Sequence, residues 1–322
     1  MSARPSTPES GALFARSYWD PVFAGRVAFL AASEDVHGFT TSRYEFLGRN
    51  GDVDSPAALG RSGLSGQAEG TGETCAACQV YLELDPRESR DLLFLIGQGE
   101  DEDEARSLLA QWRSLDAAAD ALVALERHWD CVLGAVTVTT ADPSFDILVN
   151  RWLLYQSLSS RLLARTGFYQ AGGAIGFRDQ LQDVLALIHV DPQRVRGHIV
   201  LAATHQFEEG DVLHWWHPPS DSGVRTRYTD DLLWLPYATG TYVKATGDMS
   251  ILDEKIPFLT APELAAGEED RYARFGHGEG AWPLLEHCHR ALHRALKRGP
   301  HGLPLIGGGD WSDGLNRVGR RG

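Results

Sequence analysis

Near residue 100 the spacing of apolar residues along this chain changes period, and one class of secondary structure cannot accommodate both halves. Before that point the apolar residues fall in short runs: Arg26-Val-Ala-Phe-Leu30, Gln79-Val-Tyr-Leu-Glu-Leu84 and Leu92-Leu-Phe-Leu-Ile96. Gly, Asp, Ser and Pro separate them, and apolar runs of this length between turn residues are strand signals, so residues 1–99 are expected to form an all-β domain. The acidic run Glu100 to Glu104 then opens a helical pattern through Leu108, Leu109 and Trp112, continued by Leu122, Leu125 and Trp129. Carboxylates in a first turn complement the helix dipole, and residues 100–135 read as a helical linker. From Asp142 onward, Phe145, Leu148, Trp152 and Tyr155 recur at intervals of three and four behind Asp142-Pro143, as an amphipathic helix requires. Further helices are expected over 180–189, 192–206, 231–246 and 282–298, with aromatic, glycine-rich loops between them and no strand repeat. Residues 136–322 thus read as helical hairpins around a common centre.

Charge and cysteine content narrow the chemistry. A formal net charge of −14, with no Lys/Arg-rich run to offset it, repels polyphosphates and argues against nucleic acid as a partner. No apolar stretch approaches the roughly 18–20 residues that span a bilayer, and Met1 to Gly11 has no hydrophobic signal core, so the chain reads as cytoplasmic, without a membrane segment. Cys75 and Cys78 form a lone CxxC with no second ligand pair at zinc spacing, and Cys131 and Cys288 fall in expected helices. Buried free thiols are the simpler reading. The glycines of Gly60 to Gly72 precede no apolar helix and read as a plain loop rather than a phosphate cradle.

Four polar clusters occupy the second half: Gly176-Phe-Arg-Asp-Gln-Leu-Gln-Asp183, Gly210-Asp-Val-Leu-His-Trp-Trp-His-Pro-Pro219, Arg225-Thr-Arg-Tyr-Thr-Asp-Asp-Leu-Leu-Trp234 and Gly307-Gly-Gly-Asp-Trp-Ser-Asp-Gly314. Sugars present hydroxyls to carboxylates and guanidinium groups and a C–H face to aromatic rings, so this mixture suits a carbohydrate. Each cluster also has a plainer explanation. Arg178 with Asp179 or Asp183 is equally read as a structural ion pair. His214 and His217 are three apart, before two prolines, which is not the i, i+4 helical zinc pair, so no metal is assigned. Asp230 suits a helix cap, a role compatible with a second one. Turn chemistry accounts for the glycines and aspartates of the last cluster, though not for Trp311.

These clusters resemble, in order, the GFRDxxQD, glycine-rich aromatic, DDLLWL and GxxDW[NS]D elements of glycoside hydrolase family 94, the inverting phosphorylases of β-linked glucosides. The stretch His301 to Asp313 is especially close, and Gly210–Pro219, Gly223–Arg227 and Asp230–Pro236 look most like the family's β-1,2-glucan branch. Phe23–Phe29, Arg43–Arg49 and Ser55–Leu59 are similar to the end of that branch's β-sandwich. The resemblance runs from about Asp20 to Gly319. It implies a partial N-terminal β-sandwich, a helical linker and an incomplete (α/α)6 barrel with the active site at its mouth.

By the same resemblance Asp313 is the general acid and Trp311 lines the donor subsite. Arg178 and Asp183 hold donor hydroxyls, and Asp310, Trp216, His217, Asp230 and Asp231 join the substrate-binding set. Ser312 stands where many members have Asn, a departure that leaves both aspartates in place. The implied substrates are a β-glucan oligosaccharide with inorganic phosphate as co-substrate, or glucose 1-phosphate in the synthetic direction, and no cofactor. An ordinary inverting glycosidase needs an acid and a base about 6.5–9.5 Å apart, whereas phosphate is already an anion and attacks without a base.

Two other functions stay open: a hydrolase of related barrel type using Asp230, Asp231 or Glu209 as base, and a non-catalytic carbohydrate-binding region of a cyclic β-1,2-glucan synthase. Only five to six of the twelve barrel helices can be counted, so the chain is expected to be a fragment that lacks the phosphate-binding half. Alone it should turn over little or not at all, and should be unstable or oligomeric. Its parent is expected to be either a soluble phosphorylase or an enzyme anchored in the inner membrane.

Overall fold

In the computed structural model, which describes residues 11–68, 72–164 and 173–309, the chain divides into two compact units, Met1–Arg127 and His128–Gly322.

The first unit is built on alternation. In β2 (Val27–Ala32), Val27, Phe29 and Ala31 are buried while Ala28 between them is exposed. One face therefore meets the core, as period-two patterning demands. β2 lies between β1 (Ala12–Arg16) and β5 (Phe94–Gly99) in an antiparallel sheet, with Phe29 opposite both Phe14 and Gly97. A Cβ at Gly97 would sit 2.6 Å from Cζ of Phe29, so only glycine lets that ring cross β5. A second antiparallel pair joins β3 (Val36–Ser42) to β4 (Thr74–Val80). The strand expected through Leu84 ends at Val80, and Tyr81 and Leu84 are exposed.

Ser42 caps the short α1 (Arg43–Leu47), accepting from the Glu45 amide. Glu45 in turn accepts from Thr40 Oγ1 and from the Ser65 amide and hydroxyl, which satisfies a carboxylate buried beneath the glycine-rich loop. The acidic run begins α2 (Glu102–Trp112) with Asp101 as its cap. Ala105 and Leu109, one turn apart, share a core with Phe14, Val27, Phe29 and Ala31. The first half of the expected linker is therefore packed on the sheet. α3 (Leu115–Leu133) follows.

The second unit has a helical core. Asp142 caps α4 (Pro143–Ile147), which runs through a π-type turn at Leu148–Trp152 into α5 (Leu153–Gln156) and a second such turn at Ser157–Leu163. The single amphipathic helix expected here is broken at Asn150 and Arg151, whose backbone is not helical. The Asn150 amide exchanges two hydrogen bonds with the Val138 backbone, and Arg151 reaches Asp130. Phe145, Leu148, Trp152 and Tyr155 are exposed.

Beyond it, α6 (Phe177–Leu185), α7 (Pro192–Ala203), α8 (Asp231–Thr246) and α9 (Leu284–Ala295) pack on one another. Leu181, Val184, Ile199, Leu235, Ala238, Leu284 and Ala291 form their common core. Asp191 caps α7, and Gly247 closes α8 in the left-handed region at φ +74°. No helix among the described residues is long and apolar enough to cross a membrane.

Strands, which the sequence did not lead us to expect in this half, occupy stretches read as loops and, at Trp282–Pro283, the start of the helix expected over 282–298. β6 (Ile175–Gly176), β7 (Leu213–His217) and β8 (Ser222–Thr226) pair in order, β9 (Lys255–Ile256) and β10 (Leu259–Thr260) are two-residue strands, and β11 (Asp270–Arg274) completes the order β11-β8-β7-β6. β12 (Gly276–His277) and β13 (Trp282–Pro283) pair with β10 and β9. Two features hid β7 and β8: a bulge between Leu213 and Trp215 breaks the alternation, and a charged residue, Arg225, faces inward.

Arg225 is fully buried. It donates to both carboxylate oxygens of Asp211 at 2.7 and 2.8 Å, to Glu209 at 2.9 Å, and to the carbonyls of Ala261 and Pro262, and it lies 3.8 Å over the Phe207 ring. The thiols are free. Only Cys288 is buried as expected, its thiol pushed up to about 11; Cys75 and Cys78 are half-buried, with thiols pushed up chiefly by desolvation, and Cys131 is exposed. No group of three metal-ligating side chains occurs among the described residues.

Arg225→Ala would leave the Asp211 carboxylate buried without its cation, and should lower the unfolding free energy by about 3–5 kcal/mol, read from the denaturant midpoint.

Candidate functional site

The strand ladder joins the four polar clusters of the sequence. β6 sets Gly176 opposite Trp215, so the first cluster begins α6 alongside the second. β7 pairs with β8, whose end leads into Tyr228, Thr229 and Asp230. Tyr228 is bridged to Gly307, the Thr229 amide donates to the Gly309 carbonyl at 3.3 Å, and the Gly308 amide donates to the Arg227 carbonyl at 2.9 Å. The fourth cluster therefore docks on the third. Close approach explains its glycines: a Cβ on Gly307 would lie 2.1 Å from the Arg227 carbonyl oxygen, and one on Gly309 2.4 Å from Cε1 of Tyr228.

At this junction the charges meet. Arg178, almost wholly buried at the start of α6, donates to Asp230 at 3.1 and 3.2 Å, with Asp231 at 3.6 Å and Asp179 at 3.9 Å. The guanidinium lies 5.7 Å from the centre of the Tyr228 ring. Asp230 makes no capping hydrogen bond to α8: its side chain turns to Arg178, so the cap expected of it is not formed. Burial, and then the neighbouring Asp231 carboxylate, push the Asp230 carboxyl above its ordinary 3.8 despite the opposing pull of Arg178. Asp231 is 1% exposed, and its Oδ2 lies 2.7 Å from Nδ1 of His214. The His214 ring stacks nearly parallel on Tyr228, with centroids 4.7 Å apart.

The remaining candidate residues are dispersed. Asp183 follows Arg178 by five positions on α6, about 140° around the helix, and pairs with Arg161 at 2.9 Å. Burial raises its carboxyl although Arg161 opposes the shift. Trp216 is 1% exposed, stacked on the His205 ring with centroids 3.8 Å apart and in a T-shaped contact with Phe177, so protein occupies its surface. His217, at the end of β7, meets Trp215 edge-on at 5.1 Å. Asp310, Trp311 and Asp313 lie outside the described residues. Reasoning from sequence missed His214 and Tyr228 as partners of Arg178 and Asp231. Their signal was the pairing of β7 with β8, which the bulge concealed.

A groove of about 770 Å3 adjoins the junction, lined among others by Tyr228, Thr229, Glu263, Arg294, Lys297 and Gly308. Arg227 fixes one of its walls by donating to the carbonyls of Leu264, Ala265 and Glu268 at 2.8 Å. Mixed carboxylates and cations beside an aromatic ring suit a neutral, hydroxyl-rich ligand better than a strongly charged one.

Comparison with known proteins supplies a second kind of finding. The catalytic domain of the glycosyl hydrolase 94 superfamily matches residues 128–321, and the glycosyl hydrolase 94 supersandwich domain matches residues 5–115. Cyclic beta-(1,2)-glucan synthase NdvB of Rhizobium meliloti is 43% identical over 302 residues, 93% of this chain and 11% of that protein. N,N'-diacetylchitobiose phosphorylase of Vibrio furnissii is 28% identical over 258 residues, 71% of this chain and 32% of the relative. Solabiose phosphorylase of Paenibacillus borealis is 28% identical over 295 residues, 91% of this chain and 35% of the relative. The chain thus spans between 11% and 35% of the length of these relatives.

A raised carboxyl binds a proton more tightly folded than unfolded, so raising the pH through that window costs stability. Between the ordinary carboxylate value of 3.8 and the higher folded value, Asp230 should therefore contribute a fall in stability with rising pH. In urea titrations from pH 3 to about pH 7, Asp230→Asn should flatten that fall, since the variant has no proton to lose there.

Proposed function

Because this chain belongs to the glycosyl hydrolase 94 superfamily, we propose that it carries the donor-sugar side and the acid-bearing segment of a phosphorylase-type enzyme acting on β-glucosidic bonds, with β-1,2-glucan as substrate. The observation that supports this most is the meeting of Arg178, Asp230, Asp231 and His214 with the Gly307–Gly309 backbone, since that backbone continues directly into Asp310-Trp311-Ser312-Asp313. The helices of the second unit are, on this reading, part of an (α/α)6 barrel.

In the reaction, a phosphate oxygen attacks the anomeric carbon from the face opposite the glucosidic oxygen. The bond from that carbon to the glucosidic oxygen breaks, and Asp313 donates its proton to the leaving oxygen. The products are α-glucose 1-phosphate and a glucan one unit shorter, with inversion at the anomeric carbon. Phosphate arrives as an anion, so no second carboxylate has to remove a proton from the nucleophile. Phosphate is a co-substrate, and no cofactor is required. Arg178 and Asp183 bind donor hydroxyls, Trp311 forms the ring-stacking wall, and Asp310, Asp230 and Asp231 crowd negative charge that favours a protonated acid nearby. His217 and Trp216 contribute through the strand that carries them: Trp216 supports the site from the core.

The decisive measurement is product formation by the protein at its natural full length on β-1,2-glucan, with and without phosphate. Glucose 1-phosphate should appear only when phosphate is present, and release of free glucose in plain buffer would identify a hydrolase instead. In the same protein Asp313→Asn should lower turnover by about 100-fold to 10,000-fold while leaving glucan affinity close to that of the parent. Unchanged turnover would instead assign the region to sugar binding without chemistry.

A further inference from the structure

A side-chain chain leads from a buried carboxylate to the backbone of the glycine segment. Asp231 is 1% exposed, and its Oδ2 lies 2.7 Å from Nδ1 of His214. A carboxylate so placed accepts a hydrogen bond, which puts a proton on Nδ1 and fixes the plane of the ring. That plane lies 8° from the plane of Tyr228 at a centroid separation of 4.7 Å. Tyr228 in turn meets Gly309 so closely that a Cβ there would fall 2.4 Å from Cε1 and 3.0 Å from Cδ1. The same stretch is bonded to the glycines through its backbone, by the Tyr228–Gly307 bridge and the Thr229 amide to the Gly309 carbonyl.

Resting on the phosphorylase reading above, we propose that His214 is a positioning residue: Asp231 orients its ring, the ring seats Tyr228, and Tyr228 seats the Gly307–Gly309 backbone from which Asp310 and Asp313 continue. In this role His214 works through the Tyr228 ring, on which it stacks. It acts by limiting how far the glycine segment can shift toward the space the imidazole and phenol rings fill. Three consecutive glycines have no side chains of their own to pin them, so their position has to come from neighbouring surfaces: Arg227 and Thr229 meet Gly307, Arg227 meets Gly308, and the Tyr228 ring of the stacked pair meets Gly309. A placement error near 1 Å in a reacting group costs on the order of 100-fold in rate, which sets the scale of the effect.

The test uses the full-length protein and three single variants. H214N keeps a side-chain donor for Asp231 and removes the ring; H214F keeps a ring on Tyr228 and removes the donor; Y228L removes the ring on the other side. H214N and Y228L should each lower kcat of phosphorolysis on the order of 100-fold, with KM for the glucan changed less than about three-fold. H214F should recover most of that loss, and the H214N/Y228L double variant should be no worse than either single one, as expected for two residues acting in series. In 1H–15N spectra, H214N should shift the Thr229, Gly308 and Gly309 amides, and thermal unfolding of each variant serves as the folding control. Additive losses, or unshifted glycine amides in a folded H214N, would overturn the proposal. If the parent protein forms no glucose 1-phosphate, the phosphorylase reading fails instead. The amide shifts of H214N then decide the positioning role alone: displaced glycine amides sustain it and unmoved ones end it.

Discussion

Two adjacent carboxylates, Asp231 fully buried and Asp230 half-buried, keep their places because two cationic or proton-bearing groups meet them from other elements. Arg178 comes from the first turn of α6 and His214 from β7, and each makes short contacts with the pair. Asp231, on α8, meets both Arg178 of α6 at 3.6 Å and His214 of β7 at 2.7 Å, and Asp230 adds the closer contacts to Arg178. Stripping water from two like charges is costly, and the cost is recovered only when donors approach from fixed directions. The sheet order β11-β8-β7-β6 and the packing of α6 on α8 are what fix those directions.

A second set of guanidinium groups does comparable work on β8 and β11. Arg225 and Arg227, two apart on and just beyond β8, and Arg271 on β11 donate to carbonyls of the segment from Ala261 to Glu268. This segment has little regular structure of its own, and its orphaned carbonyls need partners. Arginine provides several donors in a planar fork, which is why one residue answers two or three carbonyls at once. The groove beside Tyr228 inherits a wall shaped by these contacts. A polar sequence of this kind is therefore mostly architecture, with the ligand-facing part confined to what the architecture leaves exposed.

The electrostatics of the junction bear on acid chemistry. Asp230 holds its proton more firmly than a free carboxyl does, chiefly through burial. An environment with that bias favours a neutral carboxylic acid, the form a proton donor must take before it acts. In a phosphorylase-type reaction a single such donor completes the proton balance, because the nucleophile brings its own negative charge. A hydrolase at the same place would need a second carboxylate kept ionised. Glu209 and Asp231 are each already tied to cationic or proton-donating partners, Arg225 and His214.

Local pattern by itself determined much of this protein. The change of period near residue 100, the helix from Asp231 to Thr246, the helix start at Asp142-Pro143, and the motif order that resembles glycoside hydrolase family 94 were all readable residue by residue, because each depends on neighbours within a few positions. Tertiary structure alone decided the rest. It turned Asp230 from a cap into a partner of Arg178, and gave Asp183 to Arg161. It made Trp216 a core residue, broke the helix at Asn150, and drew strands from stretches that look like aromatic loops. The reason is the same in each case: a charged or aromatic side chain goes where a partner far along the chain offsets the loss of water, and sequence spacing does not record where that partner will be.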